Sequence, residues 1–319
     1  MEEILSGSRN QEEIAEFLSA HTAKSGTPEE VAGFIDAMYA HAAPISIDTR
    51  AVDTVGTGGD GFHTINISTA SAIVAAAAGA KVIKHGNRAA TSQSGAADVL
   101  EALGVKIDLT GPQVATLFRE LGIGFCFAPM FHSAMRHAAG ARKSLGFPTI
   151  FNILGPLSNP AQPDAYAIGV AKQEMFPIVA EVLRVRGVDA LVFRGRDGLD
   201  EISLSEPTDI YLIGSGTLRL AEIDPTRWGI ARNSIESLRG GNSNENAAHL
   251  REIFAGKVGA MRDVVLLNSA ATLIAFEGIN PQVDIEGRFV DAMARAAIAI
   301  DSGLAEQTLN RWIERSHQV

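Results

Sequence analysis

The densest grouping of residues able to do chemistry is Val55-Gly56-Thr57-Gly58-Gly59-Asp60, followed by Thr64-Ile65-Asn66-Ile67-Ser68-Thr69. Glycines let backbone N–H groups approach a ligand, and a helix opening near Asn66 leaves further N–H groups unpaired, so the segment favours an anion. Ser68 and Thr69 either cap that helix or offer hydroxyls to a phosphate or a metal. An ordinary glycine turn before a capped helix accounts for the motif equally well, but it leaves Asp60 unexplained. A carboxylate beside an anion makes sense if it holds a ribose hydroxyl or a metal-bound water.

A second loop, Lys84-His85-Gly86-Asn87-Arg88-Ala89-Ala90-Thr91-Ser92, again joins a strand to a helix. Lys84 and Arg88 can neutralise phosphate oxygens, the arginine in a bidentate way. One basic loop is usually just solvated; two polyanion-friendly loops after consecutive strands point to a phosphate-rich ligand. The third segment is Arg196-Asp197-Gly198-Leu199-Asp200-Glu201. Asp197-Gly198 reads as a turn, whereas the adjacent Asp200 and Glu201 suit magnesium, a hard cation held by carboxylates, waters and substrate phosphates. Fourth, Phe127-Ala128-Pro129-Met130-Phe131-His132 leads into a helix carrying Arg136, His137, Arg142 and Lys143. His132 reads as a capping or core histidine, and Arg136 and Lys143 as surface residues. Arg142 is open on spacing alone. No loop ends in Gly-Lys-Ser or Gly-Lys-Thr, and there is no Gly-x-Ser-x-Gly elbow.

The elements that must position these loops alternate. The first 48 residues are helical in pattern, with Thr27-Pro28-Glu29-Glu30 as a start signal. From Ala51 onward, strands are expected at 52–55, 81–84, 123–127, 166–171 and 190–193, with helices at about 66–78, 96–103, 112–121 and 174–185. Strands alternating with crossover helices predict an α/β protein with a mostly parallel sheet flanked by helices. An appended antiparallel hairpin is expected over 209–223, around Gly214-Ser215-Gly216, and helices from Asn244 to the end. Acids outnumber bases, 37 to 27, which disfavours sequence-independent nucleic-acid binding but not an anionic ligand in one local cleft. The single cysteine, Cys126, excludes an intrachain disulfide and a cysteine-rich zinc site. It is expected to be an inert core residue. With no basic, then apolar, leader at the N-terminus and no long apolar run, a soluble cytoplasmic protein is expected.

In this order, the motifs resemble the anthranilate phosphoribosyltransferases of tryptophan biosynthesis. Ser94-Gly95-Ala96-Ala97-Asp98-Val99-Leu100-Glu101-Ala102-Leu103-Gly104 and Phe151-Asn152-Ile153-Leu154-Gly155-Pro156-Leu157 extend the match. The resemblance implies a fold like that of pyrimidine nucleoside phosphorylases: a small N-terminal helical domain plus a larger α/β domain. Residues 1–48 with about 129–157 would form the first, and 49–128 with about 158–319 the second. It implies binding of 5-phosphoribosyl 1-diphosphate (PRPP) by Gly56, Gly59, Asp60, Thr64, Asn66, Ile67, Ser68, Thr69, the loop Lys84, His85, Gly86, Asn87, Arg88, Ala89, Ala90, Thr91 and Ser92, and Ala96. Anthranilate would meet Gly56, Asn87 and Arg142, the last facing its carboxylate, and Mg2+ would meet Ser68, Asp200 and Glu201. A homodimer through the helical domain is implied, weakened by a short N-terminal segment. Thr91 stands where serine is commoner, and His132-Ser133 where His-Pro is.

The chemistry implied is displacement of pyrophosphate from the ribose anomeric carbon by the anthranilate nitrogen, with positive charge building on the sugar. Positioning, metal and fixed N–H dipoles would carry the acceleration; no general base stands out. Two rival readings are a pyrimidine nucleoside phosphorylase, disfavoured by Lys-His-Gly-Asn-Arg at 84–88, and a non-catalytic relative that binds nucleic acid, disfavoured by the intact acids and the net charge of -10.

Overall fold

The computed structural model describes residues 1–24, 26–89 and 93–319. Seven strands, β1 (Val52–Gly56), β2 (Val82–Gly86), β3 (Ile123–Phe127), β4 (Ala165–Gly169), β5 (Asp189–Gly195), β6 (Thr208–Gly214) and β7 (Thr217–Ile223), form one sheet. Their order is β3-β2-β1-β4-β5-β6-β7. The first five run parallel, and β6 and β7 antiparallel. The hairpin thus continues the sheet, with Ala190–Gly195 paired to Thr208–Ile213, instead of hanging from it as an appendage. β2 also runs past the apolar stretch that signals it, because His85 and Gly86 pair with Cys126 and Phe127.

Period-2 alternation divides the strands between two apolar clusters. Ala165, Ala167, Leu191, Phe193, Ile210 and Leu212 face helices Ile67–Ala77, Ala260–Glu277, Ile285–Asp301 and Leu304–Ser316. Tyr166, Ile168, Ala190, Val192 and Ile213 face helix Phe176–Val185 and the N-terminal helices. Those N-terminal helices are Glu2–Leu5, Gln11–Lys24 and Pro28–Ala40, and they contact Arg136–Leu145 and Phe151–Leu157. The third opens with the capping box the sequence signals, the Thr27 hydroxyl accepting from the Glu30 N–H at 3.3 Å. Among the described residues no helix is long and apolar enough to cross a membrane.

The chain leaves β1 toward β2 and β3, then returns to lay β4 on the other side of β1. Open parallel sheets bind ligands outside the carboxyl ends of strands at such a reversal of winding direction.

Candidate active site

The carboxyl ends of β1, β4 and β5 lie side by side, Gly56 paired with Gly169 and Gly169 with Phe193. A cavity of about 350 Å³ opens there. Its walls are the glycine loop from Val55 to Gly61, the stretch 63–68, residues 84–89 and 94–96, Asp200 and Glu201, with Ala128, Asn152, Gly155 and Pro156 from the helical side. Three loops far apart in sequence therefore meet in one place.

Gly58 and Gly59 have left-handed backbones, with φ of 70° and 82°, and the Gly58 N–H donates to Asp200 Oδ2 at 2.6 Å. A methyl group built on Gly56 would lie 2.3 Å from that same carboxylate oxygen, and one on Gly169 would lie 1.7 Å from the Asp200 carbonyl oxygen. Glycine at these two strand ends is what lets the Asp200–Glu201 backbone close over the sheet. Behind the acids, Asn268 clasps Ile202 from helix Ala260–Glu277, accepting its N–H at 2.9 Å. Asp197 accepts the Leu199 N–H at 3.0 Å and the hydroxyls of Ser203 and Ser205. It anchors the turn as the sequence suggests, and the acids that follow are buried.

The helix at the back of the cavity starts at Ile67, so Ser68 and Thr69 sit inside its first turn and Asn66 holds the cap position. The Asn66 side chain makes no cap bond. Its amide donates to Ser94 O at 3.0 Å, and its oxygen accepts from buried Asn246 at 2.8 Å. The strand-like stretch before it is fixed by Ile65 N–H to Leu238 O and Gly240 N–H to His63 O, both 2.9 Å. The Ser68 backbone N–H is among the influences that favour the charged Glu201 carboxylate. Sequence reading gave Asn152, Asn246 and Asn268 no part in this, since a lone asparagine in a helical pattern carries no local signal.

Electrostatically the cavity floor is a crowd of buried charges. Asp200 and Glu201 are 8% and 7% exposed. Burial first, then Asp60 for Asp200 and Asp200 for Glu201, pushes their carboxyls well above the ordinary range. Lys84 is 1% exposed; its ammonium donates to Thr54 O and to Ser68 Oγ at 3.2 Å. Burial pulls the Lys84 ammonium down, opposed by Asp53, Glu201 and Asp200. Buried acids destabilised by one another are relieved by a cation. Among the described residues no three or more His, Cys, Asp or Glu side chains gather as a complete metal cage. The donor set of Asp200, Glu201 and the Ser68 hydroxyl instead fits magnesium, which takes one or two carboxylates and completes its shell with waters and substrate phosphates.

Of the residues expected at the site, Gly56, Gly59, Asp60, Thr64, Asn66, Ile67, Ser68, 84–89, Ala96, Asp200 and Glu201 border the cavity. Ala90, Thr91 and Ser92 lie outside the described residues. Thr69 and Arg142 do not border it. Thr69 is buried, its hydroxyl without a partner among the described residues. Arg142 stacks over the Phe151 ring at 5.3 Å, and burial lowers its guanidinium. Arg88 is not a free cation: its guanidinium bonds Asp98 at 3.1 Å and Glu101 at 3.0 Å and lies 5.4 Å above the Phe127 ring. His85 is buried, Nδ1 on Gly155 O at 3.0 Å and Nε2 without a partner among the described residues, with its ring 5.2 Å from that of His132. His132 bonds Ser158 O at 2.8 Å from within the core.

Two family models match the chain: the glycosyl transferase family helical bundle domain over residues 1–42 and its a/b domain over 48–306. An anthranilate phosphoribosyltransferase of Nocardia farcinica is 52% identical over 99% of this chain and 93% of its own length. One from Saccharopolyspora erythraea is 50% identical, over 100% and 90%. The crystal structure of the Thermus thermophilus anthranilate phosphoribosyltransferase superposes with a TM-score of 0.91 at 38% identity, covering 99% of this chain and 93% of that one. The Saccharomyces cerevisiae enzyme in complex with PRPP and Mg gives 0.87 at 29%, covering 97% and 86%.

Proposed function

The chain belongs to this glycosyl transferase family, among its anthranilate phosphoribosyltransferases, and from that membership we propose how its own residues carry the reaction. The enzyme transfers the phosphoribosyl group of PRPP to anthranilate, giving N-(5-phosphoribosyl)anthranilate and pyrophosphate, a step of tryptophan biosynthesis. The observation that carries the assignment of residues is the convergence of the glycine loop, the Lys84–Ala89 loop and the Asp200–Glu201 pair on one cavity.

The anthranilate nitrogen forms a bond to the anomeric carbon as the bond to the pyrophosphate oxygen breaks; the pyrophosphate takes that electron pair, and the amine gives up a proton. Magnesium, held by Asp200, Glu201 and Ser68, supplies charge neutralisation at the leaving pyrophosphate. The left-handed Gly58–Gly59 turn brings backbone close to the phosphates, and Asn66 and Thr64 line their path. Lys84 lines the cavity as a buried cation bonded to Ser68 beside the magnesium ligands, and it adds positive charge there. Arg88 reaches a phosphate only by leaving Asp98 and Glu101. Gly56 and Asn87 border the anthranilate, and Arg142, once turned from Phe151, faces its carboxylate. A cytoplasmic homodimer joined through the N-terminal helices belongs to the same reading.

The test is loss of anthranilate fluorescence in the presence of PRPP and magnesium, repeated with each omitted. Turnover only in the complete mixture is expected. Phosphate-dependent cleavage of thymidine or uridine with no anthranilate consumption would overturn the reading.

A further inference from the structure

The sheet is nearly split between β1 and β2. β1 pairs with β4 at five positions, Val52 to Gly56, and β2 pairs with β3 at five, Val82 to Gly86. β1 and β2 meet in register only at Val52 and Val82, although parallel neighbours ordinarily bond at even intervals along their length. Past that point side chains span the seam. Asp53 accepts the His85 N–H on Oδ1 at 3.2 Å and the Asn159 amide on Oδ2 at 2.9 Å. The same amide donates to Ile83 O at 2.8 Å, and Lys84 Nζ donates to Thr54 O. Asp53 and Asn159 are wholly buried and Lys84 nearly so.

An acid inside a strand is costly to bury, and a plain backbone ladder would satisfy the same groups. The carboxylate therefore does something a ladder does not. It ties the His85 N–H, next to Lys84 on β2, to β1, where Thr54 O takes the Lys84 ammonium, and its charge favours that ammonium together with Glu201 and Asp200. Burial raises the Asp53 carboxyl to about 6, with Lys84 the main opposing influence.

We infer that Asp53, fixed by Asn159, is a positioning residue that seats the Lys84 ammonium beneath Ser68 and the buried acids, and so sets the affinity for magnesium-bound PRPP. This rests on the proposed assignment of that cavity to PRPP. Neither Asp53 nor Asn159 borders the cavity, so neither is expected to touch a substrate.

The experiment is a double-mutant cycle on the full chain, with Asp53→Asn and Lys84→Met read in steady-state kinetics. Wild-type turnover with anthranilate, PRPP and magnesium comes first; its absence would defeat the reading of the cavity, not this inference. With an active wild type, Asp53→Asn should raise KM for PRPP by about 10-fold or more and leave KM for anthranilate within about threefold. In the Lys84→Met background the same change should cost little more, because a residue acting through Lys84 has nothing left to act on. If Asp53→Asn yields no folded protein, Asn159→Ala goes through the same cycle, with a smaller rise in KM for PRPP that is again absorbed by Lys84→Met. Costs that multiply in full, or KM rising equally for both substrates, would show that the pair merely holds the sheet together and would overturn the inference.

Discussion

A methyl group at Gly169 should disable the proposed magnesium site by displacing the backbone of Asp200. The added carbon would sit 1.7 Å from the Asp200 carbonyl oxygen, whereas real contacts of this kind essentially never fall below 3.0 Å. The obstructing atom is backbone, so no rotamer change relieves it, and the segment bearing Asp200 and Glu201 must recede by more than 1 Å. Overpacking of this kind costs about 1–3 kcal/mol, a fall in Tm of roughly 1.5–5 °C for a chain this size. Misplacing reacting groups by about 1 Å costs on the order of a hundredfold in rate. Gly169→Ala should therefore fold, melt somewhat early, need more magnesium for half-maximal rate, and lose about two orders of magnitude in kcat/KM. Gly56→Ala is the companion: its nearest atom is the Asp200 carboxylate, 2.3 Å away, which can swing. It should cost less stability while still disturbing the metal. Anthranilate fluorescence against magnesium concentration, with a melting curve on each protein, decides it. A Gly169→Ala enzyme within about threefold of wild type in kcat/KM, with unchanged magnesium dependence, would refute the reasoning.

Arg142→Ala should raise KM for anthranilate by roughly 10–100-fold, the worth of one charged hydrogen bond, and KM for PRPP little; the opposite split in steady-state kinetics removes Arg142 from the anthranilate side. Asp200→Asn combined with Glu201→Gln should reduce magnesium-dependent turnover on the order of a thousandfold with the fold intact by circular dichroism; undiminished turnover at saturating magnesium excludes both as ligands. Burial holds the His85 imidazole down to about 3 from an ordinary 6.5. Between those values the unfolded chain binds a proton that the folded chain refuses, so this group removes stability as pH falls, by up to about 1.4 kcal/mol per pH unit. Asp53 acts in the opposite sense: its carboxyl is raised from 3.8 to about 6, so folded protein takes up that proton first and gains on acidification over that window. Urea midpoints between about pH 7 and pH 5 should therefore fall less steeply for His85→Gln than for the wild type; equal slopes would count against a neutral buried His85.

Much of the frame was legible because it obeys local rules. The Thr27 capping box, the alternation of apolar runs with helices, and the Gly-rich exits from strands each state their own geometry. What was not legible depends on partners distant in sequence. The side-chain seam at Asp53 and Asn159 has no motif; an acid one residue into a strand looks like a boundary until the strand beside it is known. Lys84 and Arg88 read as equivalent cations, yet one is buried under Ser68 and the other is spoken for by Asp98 and Glu101, and only tertiary contacts separate them. The hairpin read as an appendage because pairing between β5 and β6 joins segments with no shared pattern. The three asparagines 66, 246 and 268 hold the cavity's framework through amides whose targets lie elsewhere in the chain.

The strand order has a consequence for how the molecule is made. β1 acquires its fully paired neighbour only when residue 165 reaches residue 52, after the whole of β2, β3 and the helical segment between β3 and β4 has been traversed. Closing that long loop carries an entropic toll before any central contact rewards it, so folding is slow relative to a helical bundle of the same stability. Until that moment Pro28–Ala40 also lacks helix Phe176–Val185, which covers part of its apolar face in the finished fold. A nascent chain cut short of Ala165 is thus left with sticky helices and half a sheet, the kind of intermediate that chaperones exist to shield.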